Sequence, residues 1–78
     1  MRPKTQKLVI TFHTTTEAMA AEQTFLRLGL AGRLIPVPRQ ITAGCGLAWL
    51  APCEAEEALL AAAGQEALAW ENWQKLIL

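Results

Sequence analysis

Seventy-eight residues carrying seven Lys/Arg against seven Asp/Glu give a formal net charge of zero, so no net field draws the chain to nucleic acid. An apolar fraction of 53% with 18% charged residues excludes a disordered chain, and no run approaches the roughly 20 apolar residues of a membrane span. A chain this short buries a smaller share of its surface than a larger one, which predicts marginal stability or self-association.

Arg2, Lys4 and Lys7 make a basic start, but the apolar run behind them is too short for a signal-peptide core, and a cytoplasmic location is expected. The chain reads as an N-terminal extension, residues 1–6, followed by one domain, residues 7–78. Residues 7–13 are rich in β-branched and aromatic side chains and nearly continuously apolar, the pattern of a central strand. Thr14 with Glu17 three positions later has the form of a capping box, so a helix begins there. Ala18, Ala21, Phe25 and Leu28, widened by Leu26, form its apolar stripe. Gly29 supplies a left-handed stop, and Leu30 is placed to fold back on the last turn.

Gly32 releases the chain into a second strand, residues 33–39. Pro36 and Pro38 lie two apart there, so both missing amide hydrogens fall on one edge and the strand must border the sheet. Ile35 and Val37 are expected to face the core. A loop, residues 40–46, leads to a short buried strand, residues 47–51, which Pro52 ends. Glu54, Glu56 and Glu57 crowd the start of a second helix, where the macrodipole favours carboxylates. Ala55, Ala58, Leu59 and Ala62 are its expected buried stripe and Gly64 its stop. Residues 68–78 are read as a last strand, bulged near Glu71 and Asn72.

The order strand-helix-strand-strand-helix-strand is that of a ferredoxin-like α+β domain: an antiparallel sheet with two helices on one face. The second strand is then an edge, as its prolines require. The free sheet face offers a surface for a homodimer, with Trp49, Trp70 or Trp73 as candidates to lie on it.

The chemistry converges on the loop. Cys45 stands between Gly44 and Gly46 at the exit of what this topology makes a hairpin tip. Flanking glycines permit positive φ and turn successive amides toward an anion. Arg39 adds a positive charge that would favour a thiolate, and Thr42 a hydroxyl. The alternative is a tight turn around a small buried cysteine. Cys53 lies eight residues on, across a strand that holds the two sulfurs too far apart for a bridge, so both are read as free thiols. Cys53 at a helix start is a structural thiol, or one activated by the helix N-terminus. His13 is read as a strand end or cap, and Trp70 and Trp73 as packing contacts. The sequence contains no phosphate-binding glycine loop, metal-ligand cluster or catalytic triad, and no cofactor is expected.

Pro36-Val37-Pro38-Arg39, Ile41, Thr42 and Cys45-Gly46-Leu47-Ala48 resemble the signature of a small bacterial family of selenium/sulfur carrier-like proteins. That signature runs proline-x-proline-arginine, an aliphatic, a serine, two variable residues, then cysteine-glycine-aliphatic-alanine. Ala18-Met19 and Glu22 also fit the family's pattern, and the likeness extends from about Leu8 to Trp73. Thr42 stands where serine is usual, Ala43 and Gly44 replace residues that are often polar, and His13-Thr14 replaces an aromatic-serine pair. The resemblance implies a carrier rather than a self-sufficient enzyme: Cys45 takes up sulfane sulfur or selenium from a protein donor as a persulfide or perselenide and hands it to a protein acceptor. Arg39, Thr42, Gly44 and Gly46 would hold the anion. The competing reading is a protein-binding or regulatory module in which Cys45 is structural, and a weaker third is thiol-disulfide exchange.

Overall fold

The computed structural model describes residues 5–41 and 44–78. Its elements run β1 (Gln6–Thr11), α1 (Thr15–Arg27), β2 (Arg33–Pro36), β3 (Leu47–Pro52), a 3₁₀ turn (Cys53–Ala55), α2 (Glu56–Gln65) and β4 (Asn72–Ile77). The strands form one sheet in the order β2-β3-β1-β4, every neighbouring pair antiparallel. This is the ferredoxin-like arrangement, with β1 and β3 central and β2 at an edge, where the missing amide hydrogen of Pro36 breaks no ladder.

Strand register divides the sheet into two faces. Leu8, Ile10, Phe12, Trp49 and Ala51 point to the helices and join Ala18, Ala21, Phe25, Leu59 and Ala62 in the core. Trp49 is fully buried and meets Phe25 at 5.1 Å between ring centroids, tilted by 58°. A pair of that geometry adds about 0.5–1.5 kcal/mol beyond the area it buries. Its indole N–H donates to the Ala31 carbonyl at 3.3 Å. The opposite face carries Lys7, Val9 and Thr11 of β1, Ala48, Leu50 and Pro52 of β3, and Arg33 and Ile35 of β2.

The structure moves several expected positions. β2 ends at Pro36, not at Arg39, although the Val37 N–H still donates to the Gly46 carbonyl at 3.0 Å and continues the hairpin by one bond. Within β2 the residue packed against the core is Leu34, opposite Trp49, so Ile35 faces away from the helices. Trp49 is a core residue rather than part of the free face, and Trp73 also packs toward the helices, stacked edge-on against Trp70 at 5.3 Å. Leu26 and Leu28 are exposed and Thr24 takes their place in the buried stripe of α1. In α2 the buried residues are Leu59, Ala62 and Ala63, while Ala58 is exposed.

The two helix stops differ from each other in an informative way. Leu30 N–H donates to Phe25 O at 2.9 Å and Gly29 N–H to Leu26 O at 3.1 Å, with Gly29 at φ +70°: a Schellman motif around the expected glycine. The same pair of bonds ends α2, from Leu68 to Ala63 at 2.9 Å and from Ala67 to Gly64 at 3.3 Å. Here the left-handed residue is Ala67, at φ +52°, and Gly64 lies inside the helix. Leu68 packs against the core, which fixes where the chain must reverse, and the last strand starts only at Asn72.

Candidate functional site

The β2–β3 hairpin carries Cys45 at its exit. Gly46, at φ +77°, supplies the left-handed turn that swings the chain into β3. Cys45 is half-buried and packs against the core, and its sulfur is held by its own strand: the Leu47 N–H donates to Sγ at 3.4 Å and the thiol donates to the Leu47 carbonyl at 3.6 Å.

Gly44 is needed for space, not for a positive φ. A Cβ there would lie 3.0 Å from the His13 carbonyl oxygen, so the loop rests directly on the end of β1. Its N–H donates to Glu71 Oε1 at 3.4 Å. Glu71 is placed for this by its own N–H, which donates to the Thr11 carbonyl at 2.6 Å just ahead of β4. The cysteine loop therefore sits against the end of β1 and the start of β4, beside a carboxylate.

His13 belongs to the same corner. The Thr14 hydroxyl accepts from the Glu17 N–H at 3.1 Å, as a capping residue should, but the Glu17 carboxylate reaches one residue further back than expected, accepting from the His13 N–H at 2.9 Å and meeting His13 Nδ1 at 3.0 Å. The backbone bond from His13 is the largest cause holding the Glu17 carboxyl below its ordinary value. Sequence reading missed this pair, although the spacing from 13 to 17 was available to find it. Glu71 had no such signal: it lies 27 residues from Gly44, and strand pairing alone brings them together.

Arg39 sits at the tip of a turn closed by the Ile41 N–H donating to the Pro38 carbonyl at 3.1 Å, and it is exposed. Among the described residues its guanidinium makes no ion pair. Thr42 lies outside the described residues. Cys53 stands apart from Cys45, at the far end of β3, where its thiol donates to the Gln6 carbonyl at 3.4 Å; both cysteines are free. The glutamates at the start of α2 do more than face solvent: Glu56 accepts from Trp73 Nε1 at 3.0 Å and pairs with Lys75 Nζ at 3.1 Å, tying the helix to β4. Among the described residues no cluster of three or more His, Cys, Asp or Glu is arranged to hold a metal ion, and no helix is long and apolar enough to cross a membrane.

No curated protein and no solved structure matches the chain. A family model described as "Putative Se/S carrier protein-like" matches residues 7–74, a span that contains both helices and the whole cysteine hairpin. The chain belongs to this selenium/sulfur carrier-like family.

Proposed function

We propose that Cys45 carries sulfane sulfur or selenium between two proteins. The observation that carries the reading is the N–H of Leu47 directed at Sγ from 3.4 Å, in a chain whose family is described as selenium/sulfur carrier-like. In loading, the Cys45 thiolate attacks the outer sulfur of a donor protein's persulfide. A new S–S bond forms, the donor's S–S bond breaks, and the donor leaves as a thiolate, so no external oxidant is needed. In delivery an acceptor nucleophile takes the outer atom and Cys45 leaves as thiolate. The Leu47 amide stabilises Sγ in both steps, when it attacks and when it departs. Gly46 opens the turn that presents the sulfur. Gly44 keeps the loop against β1, and Arg39 supplies a cation on the same hairpin. A carrier family implies protein partners.

Incubation with a cysteine desulfurase and cysteine, followed by intact-mass analysis, tests this. Wild type and Cys53→Ser gain one or more sulfur atoms, and Cys45→Ser gains none. No gain on wild type, or a gain that persists in Cys45→Ser, refutes the proposal.

A second reading rests on the packing of Cys45 against the core and on its two bonds to Leu47, which suit a structural residue in a protein-binding module. Under that reading Cys45 resists alkylation in the folded protein and Cys45→Ala lowers stability. Fast alkylation of Cys45 rules it out.

A further inference from the structure

A cleft of about 390 Å³ lies on the sheet face away from the helices, lined by Lys7, Gly32, Arg33, Leu50, Ala51 and Pro52. Register explains why these residues meet. Lys7 pairs with Pro52 across β1 and β3, Arg33 pairs with Leu50 across β2 and β3, and all four side chains emerge on the same side. Two cations from different strands therefore flank an apolar floor made by β3. Elsewhere Arg27 is matched by Glu66 and Lys75 by Glu56, yet among the described residues neither Lys7 nor Arg33 has a carboxylate within 4.0 Å. Lys7 donates to the Thr5 hydroxyl, a bond that leaves its charge uncompensated.

We propose that this cleft binds a small organic anion, with its charged head between Lys7 and Arg33 and an apolar tail against Leu50 and Pro52. The volume falls within the range of small-molecule sites, and the mixture of apolar lining with a few placed polar groups is that of a ligand pocket. At about 3.3 Å per residue along β3, the floor lies roughly 15–25 Å from Cys45, so the site is distinct from the thiol and its ligand does not touch the sulfur.

Titrating the full chain with acetate, butyrate and hexanoate while following backbone amide resonances tests the assignment. Saturable shifts are expected at Lys7, Gly32, Arg33, Leu50 and Ala51, with affinity rising about twofold for each methylene that is partly buried. Arg33→Gln, a change at an exposed position, should weaken hexanoate about tenfold, and Lys7→Gln should act in the same direction. Cys45→Ser should bind as wild type does, which keeps this result separate from the fate of the carrier proposal. Equal responses to acetate and hexanoate would reduce the cleft to a diffuse charge effect and overturn the proposal. So would unchanged hexanoate binding in Arg33→Gln, or shifts centred on the cysteine hairpin.

Discussion

Gly32→Ala should be among the most damaging single-methyl additions to this chain. Gly32 sits at φ +125°, a conformation that costs an L-residue about 1–3 kcal/mol. A Cβ built there falls 2.3 Å from Trp49 Nε1 and 2.7 Å from the Leu50 carbonyl oxygen. Neither neighbour can step aside freely, because Trp49 is fully buried against Phe25 and Leu50 is fixed in the β3 ladder. Overpacking of this kind costs about 1–3 kcal/mol, and displacing the indole also threatens its bond to Ala31. The lower conformational entropy of the unfolded alanine variant offsets only about 0.4–1 kcal/mol. The net loss is about 2–5 kcal/mol, a large part of the total of about 4–12 kcal/mol expected for 78 residues. Urea unfolding followed by circular dichroism measures it. Trp49→Phe, which removes the indole N–H edge, should make the double variant less than additive. A Gly32→Ala protein within about 0.5 kcal/mol of wild type, or strict additivity with Trp49→Phe, would refute the argument that indole contact dictates this glycine.

The misplaced glycine of α2 predicts the opposite sign. Gly64→Ala, inside the helix with nothing within 4 Å of the new Cβ, should stabilise by about 1 kcal/mol, and Ala67→Gly should relieve part of the roughly 1–2 kcal/mol that a left-handed alanine costs; thermal melts of both variants check this. Glu56 is held below its ordinary 4.5 first by Lys75 and then by Trp73, so its contribution is fully present above that value and fades as pH falls through the lowered one. Lys75, raised above 10.5 chiefly by Glu56, contributes below that value and loses its contribution as pH rises through the raised one. Glu56→Gln should therefore flatten the acid limb of stability against pH and leave the part due to Glu17, measured by urea unfolding from neutral pH downward. Glu71→Ala should free the Gly44 amide, speeding its hydrogen exchange and the alkylation of Cys45 while global stability shifts by about 1 kcal/mol or less. Unchanged exchange at Gly44 would mean that Glu71 does not hold the loop.

Much of the architecture was legible in local chemistry. Thr14 caps, Gly29 and Leu30 stop a helix, and paired prolines mark an edge, because each acts within a few residues through hydrogen bonds or φ restriction. The errors share a cause. Gly64 looked like the stop, but the packing of Leu68 against the core set the reversal three residues later and forced it onto Ala67. Ile35 and Leu34 are equally good strand residues, and only pairing with Trp49 decides which one faces the helices.

The thiol loop divides in the same way. The sequence by itself determined that one cysteine stands between glycines after a proline-marked edge strand, that Cys53 is separate from it, and that the motif is one of a carrier family. Tertiary structure alone decided that Gly44 rests on the His13 carbonyl, that Glu71 takes its amide, and that Lys7 and Arg33 flank a common cleft. Those contacts join residues tens of positions apart. They exist only once strand order and register are set, and register follows from how the buried side chains of the whole sheet pack together.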